Sequence, residues 1–204
     1  EKRDAEELED HLKTAETGTL LATVYLGDNK AKGAWSAMQR SGRKDMPQDL
    51  VRRRELLRAR ALSDLGMTAE AIKVLSGIPT DDAKQLIADI HWRQRDWAKA
   101  AATLQNILPS PAALKISGDD GKSNLVLNTA VAYKMADDQT ALAQLRSRYL
   151  EAMKNAHEGA AFAVVTRPVE GTVTLQDRET ILKMAAEVDL FKSFLDNYRM
   201  ERNN

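Results

Sequence analysis

Residues 61–79 read Ala61-Leu62-Ser63-Asp64-Leu65-Gly66-Met67-Thr68-Ala69-Glu70-Ala71-Ile72-Lys73-Val74-Leu75-Ser76-Gly77-Ile78-Pro79. A helix runs into Gly66, a tight turn follows, and a second helix opens on small residues and stops at Ile78-Pro79. Glycine suits the turn because it takes the left-handed position past a helix end without strain. The skeleton recurs twice. Ala88 to Ala101 carries Trp92, Arg95-Asp96-Trp97 and Ala100-Ala101, and closes on Leu108-Pro109. Ala130 to Leu142 carries Tyr133, Ala136-Asp137-Asp138 and Ala141-Leu142. Repeated helix pairs predict an all-α stacked array, which offers a surface rather than a pocket built for chemistry.

The bulk numbers bound such an array. At 204 residues the chain is long enough for one continuous solenoid. Lys plus Arg and Asp plus Glu number 30 each, so the formal net charge is zero. A dedicated nucleic-acid binder needs a positive surplus, so no nucleic acid is expected as a partner. The absence of cysteine removes disulfides, thiolate nucleophiles and zinc-thiolate sites. No apolar run approaches the roughly 20 residues of a membrane span, and no membrane insertion is expected. The compartment stays open, since cysteine-free chains suit cytoplasm and periplasm alike. A start at Glu1 rather than Met reads as a piece of a longer protein, with any targeting or anchor segment outside it.

Working outward from the turn, residues 1–17 are charged and helix-favouring, with Leu8, Leu12 and Ala15 as a thin apolar stripe. They read as a lead-in surface helix, or as the end of a coiled coil. Residues 18–153 hold the pairs. Thr19 to Tyr25 is apolar, Leu26-Gly27-Asp28-Asn29 turns the chain, and Ala31 to Gln39 carries Ala34, Trp35 and Met38 at helical spacing. This first pair matches the others poorly. Helices are then predicted over 48–65 and 69–75, 83–93 and 97–108, and 124–135 and 139–153, with a polar loop over 115–122. Residues 154–204 form a C-terminal part. Its stretch 159–174, β-branched and carrying Pro168 and Gly171, reads as a frayed helix end plus loop, or as a short hairpin, the loop being preferred. Thr174 and Asp177 would cap a last helix from Leu175 to Met200, or two helices with a break near 187–189. Its Ile181, Ala185, Val188, Phe191, Leu195 and Tyr198 advance by three or four.

The pairs resemble the tetratricopeptide-repeat family. The residues that carry the resemblance are Ala59, Gly66, Ala71 and Pro79, then Ala88, Arg95-Asp96-Trp97, Ala100 and Pro109, then Thr129, Ala136-Asp137 and Ala141. The chain departs from the family's period of about 34 residues. Ala71 and Ala100 are 29 residues apart, Ala100 and Ala141 are 41 apart, and Leu62, His91 and Ala132 stand where the family places an aromatic. The expectation is therefore an irregular tetratricopeptide-like helix-hairpin solenoid with flanking terminal helices. Another α-solenoid of helix hairpins is the alternative. Ala71, Ala100 and Ala141 are expected to be buried where helices cross.

The resemblance implies a protein or peptide partner held in a concave groove lined by the first helix of each pair. Counting from the turns, the inward positions are Arg53, Leu56, Arg60 and Ser63, then Gln85, Asp89, Trp92 and Arg93, then Val126, Ala130, Tyr133 and Lys134. The partner-binding candidates are Arg53, Arg60, Gln85, Asp89, Trp92, Arg93, Tyr133 and Lys134. Aromatics and Arg are the types most enriched at binding hot spots. Trp92 is either a groove anchor, removable without loss of fold, or a packing residue. Trp35 and Trp97 read as packing residues. The stretch from Arg40 to Arg60 holds eight arginines and lysines against three carboxylates. It reads as a solvated helix face or as a surface for an acidic partner. Residues 1–16 are its acidic opposite, and the two could meet within one molecule or between copies of a homo-oligomer.

No catalytic residue, metal site or cofactor is expected. His11, His91 and His157 each stand alone on their helices, and the Gly118–Ser123 segment lacks the strand and the spaced glycine of a phosphate loop. The function these readings imply is a non-enzymatic protein-interaction module within a larger protein. The alternative is an accessory or self-association domain of an enzyme or membrane-associated assembly. As to where a partner sits, the alternative to the groove is docking on the C-terminal helix through Phe191, Phe194 and Tyr198.

Overall fold

Proline and glycine are scarce inside the periodic segments, and those segments are helical in the computed structural model, which describes residues 2–116, 121–168 and 175–188. Among the described residues there are eleven helices and no strand. They are α1 (Lys2–Gly27), α2 (Ala31–Arg40), α3 (Gln48–Asp64), α4 (Thr68–Ser76), α5 (Asp81–Arg93), α6 (Trp97–Gln105), α7 (Ala113–Ile116), α8 (Lys122–Met135), α9 (Gln139–Met153), α10 (Gly159–Val165) and α11 (Leu175–Glu187). The chain is all-α.

Four turns share one geometry. Asn29, Gly66, Arg95 and Asp137 take positive φ, at 58°, 84°, 58° and 58°. In each turn the left-handed residue donates its N–H to the carbonyl three residues back, and the next residue donates to the carbonyl five back. Lys30 N–H reaches Tyr25 O (2.7 Å), Met67 reaches Leu62 (2.9 Å), Asp96 reaches His91 (2.9 Å) and Asp138 reaches Tyr133 (3.0 Å). This pairing satisfies carbonyls that a helix end leaves open and sends the chain back into a second helix.

The shared turn sets a shared packing register. Seven residues before the left-handed position stand Ala22, Ala59, Ala88 and Ala130, all fully buried. Five residues after it stand Ala34, Ala71, Ala100 and Leu142, also buried. Alanine at the first place in all four hairpins, and at the second in all but the last, lets paired helices approach closely. Two expectations change. The pair around Asn29, which reads poorly as sequence, follows the same plan as the rest. In the last pair the left-handed residue is Asp137 rather than Ala136, whose φ is −79°. The frame therefore slips by one residue: Ala130 replaces Thr129, and Leu142 replaces Ala141, which is only half-buried.

Gly66 tests the turn chemistry. A Cβ there would meet nothing within 4 Å. Gly66→Ala is therefore expected to cost about 1 kcal/mol from the left-handed backbone alone. Gly77, whose φ is −82°, should instead accept alanine with a gain of about 0.4–1 kcal/mol. Thermal melts of the two variants should move in opposite directions.

The described residues gather into two compact units, one within 1–86 and the other within 87–193. In the first, α1 packs on α2 and α3, α2 on α3, and α3 on α4. Here α1 is one unbroken helix, so the boundary expected at residues 17 and 18 falls inside it. In the second, α8 is central: α6, α9, α10 and α11 all pack on it. The stretch 159–174, read as a frayed helix end plus loop or as a short hairpin, opens on a helix of its own, and residues 169–174 lie outside the described residues. Gly159–Val165 is a helix, with Phe162 and Val165 fully buried. Burial at that spacing outweighs the weak helix preference of the β-branched residues. Thr174 of the expected capping pair, the loop residues 117–120 and everything expected over 189–204 lie outside the described residues.

Candidate partner-binding site

In the second unit a cleft of about 390 Å³ opens beside the α5–α6 turn. Trp92 and Arg93 come from the last turn of α5, Arg95 from the turn itself, and Trp97 from the first position of α6. Met135 closes α8, while Leu182, Ala185 and Ala186 come from α11. Trp92 and Trp97 meet edge to face, ring centroids 5.3 Å apart and planes at 88°, a geometry aromatic quadrupoles favour. The Trp92 indole N–H donates to the carbonyl of Ala185 at 3.0 Å, so one side chain ties α5 to α11. The charged side chains lining the cleft are Arg93 and Arg95, both exposed.

Arg95 holds its left-handed backbone without being Gly, Asn or Asp, the residues that do so with least strain. Two turn hydrogen bonds fix it there, Arg95 N–H to Trp92 O and Asp96 N–H to His91 O, each 2.9 Å. Beside it, Asp96 caps α6 through Lys99 N–H. The Asp96 side chain also bonds Lys99 Nζ at 2.6 Å, and this contact, ahead of the capping bond, pulls its carboxyl below the usual range.

His91 has a buried Nδ1 with no hydrogen-bond partner among the described residues. Burial pushes its pKa below 6.5, against a smaller upward pull from Asp96. The folded state thus disfavours protonated His91. Its contribution to stability is complete above the unfolded pKa and is lost as pH falls toward the folded one. Unfolding midpoints of wild type and His91→Gln, compared from about pH 7.5 to 5.5, should show the steeper acid loss in wild type.

The structure sorts the sequence candidates. Trp92 and Arg93 share the cleft. Arg53 is half-buried and lines a separate cleft of about 370 Å³ in the first unit, with Glu16, Thr17, Leu20 and Asp49. Arg60 is only 3% exposed and pairs with Asp64 at 2.9 Å. Asp89 is 4% exposed and pairs with Arg93 at 3.1 Å. Tyr133 is buried, which pushes its hydroxyl pKa upward. Gln85 and Lys134 are half-buried. Arg60, Asp89, Trp92 and Tyr133, expected on an open inner face, therefore present almost no surface. The one-residue frame slip puts Tyr133 at the hairpin position of Leu62 and His91, four residues before the left-handed residue. The basic stretch is likewise not one solvated face: Arg54 and Arg60 turn inward, and Arg58 pairs with Glu55 at 3.3 Å and lies over the Trp35 ring.

Sequence reading missed Arg95, Trp97, Met135 and the α11 residues. Trp97 was legible as lying next to a turn, and an aromatic there is partly open because the helix has just begun. The α11 contribution depends on packing between segments about 90 residues apart, which no local pattern encodes. Comparison with family models, with curated proteins and with solved structures finds no match to this chain.

Proposed function

We propose that this chain is a non-enzymatic protein-interaction module, a tetratricopeptide-like helix-hairpin array that holds a segment of a partner protein. The observation that carries this reading is the Trp92–Trp97 cleft with Arg93 and Arg95 at its rim. Its apolar floor suits an aliphatic or aromatic side chain, and its cationic rim suits a neighbouring carboxylate. The partner segment is thus acidic with at least one apolar anchor. The repeated alanine register supports the reading, since it builds a rigid frame whose outward residues are free to vary.

Arg95→Gly separates binding from folding. Glycine relieves the left-handed backbone, so this variant should be more stable by about 0.5–1 kcal/mol while losing one rim cation. Partners captured from the native cell by wild type should be retained less well by Arg95→Gly and by Leu182→Asp. The Arg95 effect should shrink as ionic strength rises. Equal retention by both variants would refute the cleft as the contact.

A further inference from the structure

Helix α1 carries two stripes. Ala15, Thr19, Ala22 and Leu26 form the buried one, turned toward α2 and α3. Thr17, Leu20, Leu21 and Val24 form the other, recurring at spacings of three and four. Leu20, Leu21 and Val24 are 41, 42 and 51% exposed. Of the seven large hydrophobics exposed among the described residues, these three fall within five positions of one helix. Exposed hydrophobics scattered singly need no explanation, but a cluster on one helix face marks a contact surface. The 17–20–21–24 spacing is that of a short coiled-coil seam.

The charges at the two ends say what covers it. Lys13 lies one turn before Thr17 on this stripe, and Asp28, the first residue past the helix end, lies one turn after Val24, its N–H still bonded to Val24 O at 3.0 Å. If α1 pairs antiparallel with α1 of a second copy about a two-fold axis, Leu20 meets Leu21, Thr17 meets Val24 and Lys13 meets Asp28, each twice. Parallel pairing would instead set like charges against each other. Lys13 and Asp28 are exposed and, among the described residues, pair locally, Lys13 Nζ with Glu9 at 2.8 Å and Asp28 with Lys30 Nζ at 3.1 Å. Exposed pairs of this kind contribute little and exchange readily. We infer that α1 is a self-association helix, and that the chain forms an antiparallel two-fold homodimer through the Leu20–Leu21 seam with Lys13–Asp28 pairs at its ends. The seam is two turns long, so the dimer belongs to the weak end of the range.

Sedimentation of the 204-residue chain over rising concentration tests this. The mass should climb from 22.7 kDa toward twice that value. Leu21→Glu, on the exposed face and so neutral to helix content, should weaken dimerisation by about tenfold or more. Lys13→Asp should weaken it by roughly threefold to tenfold, and Lys13→Asp combined with Asp28→Lys should restore it. Three results would each overturn the inference. One is a chain that stays monomeric at every concentration, including one whose stripe captures a different protein. The others are a dimer indifferent to Leu21→Glu, and a double charge exchange no better than the single one.

Discussion

Trp92→Ala is expected to destabilise the second unit by about 3–5 kcal/mol. The side chain is 6% exposed, packs edge to face on Trp97, and donates its indole N–H to Ala185 O. Truncation removes a large buried ring, leaves a cavity beside α8 and α11, and orphans a carbonyl. Trp92→Phe keeps a six-membered ring but loses the pyrrole half of the indole and its hydrogen bond, so it should cost less than the alanine, about 2–3 kcal/mol. Denaturant unfolding of the two variants measures both. Equal midpoints for wild type and Trp92→Ala would mean the indole is not a packing element. The sequence-based expectation that Trp92 could be removed as a groove anchor with the fold intact is therefore replaced. Trp92 is floor and frame, and binding has to be probed at the rim, where Arg95 and Leu182 are exposed.

Arg54→Ala is the second large effect, at about 3 kcal/mol. Arg54 is 7% exposed on α3, and its guanidinium joins three helices. It donates to Ala15 O (3.0 Å) and Thr19 Oγ1 (2.9 Å) on α1, and to Ser41 Oγ (3.1 Å) and Met38 O (2.6 Å) at the end of α2. No carboxylate pairs with it among the described residues. Instead it meets carbonyls near the C-terminal end of α2, where a cation is favoured. Burial lowers its pKa, with Arg43 pushing the same way, but a guanidinium stays charged at any working pH. The helices meet closely here, because a Cβ on Gly18 would overlap the Ser41 side chain. Arg54→Lys keeps the charge but not the planar fork that reaches four acceptors at once, so it should recover less than half of the loss. Calorimetry of the two variants checks the order. A lysine as good as arginine would mean that charge alone, not geometry, holds the three helices.

The sequence by itself determined the class of fold. Helical spacing, few breakers and a turn at Gly66 were enough for an all-α chain of hairpins, and α9 falls on the residues its pattern predicted. Boundaries were legible where Gly66 or an N-cap aspartate marks them, because those residues act on their own backbone; Pro109 marked none, since α6 ends at Gln105 and not at the expected 108. Tertiary structure decided what depends on more distant neighbours. The left-handed residue at Asp137 rather than Ala136 is chosen by the helix end and its return bonds, and it moves every packing position in that hairpin by one. Helix α10 exists because α8 and α9 bury Phe162 and Val165. Whether an arginine faces water or the interior followed the same rule. Arg53 and Arg54 are adjacent in sequence and alike in chemistry. Only the oxygen atoms that α1 and α2 bring to Arg54 make its burial affordable.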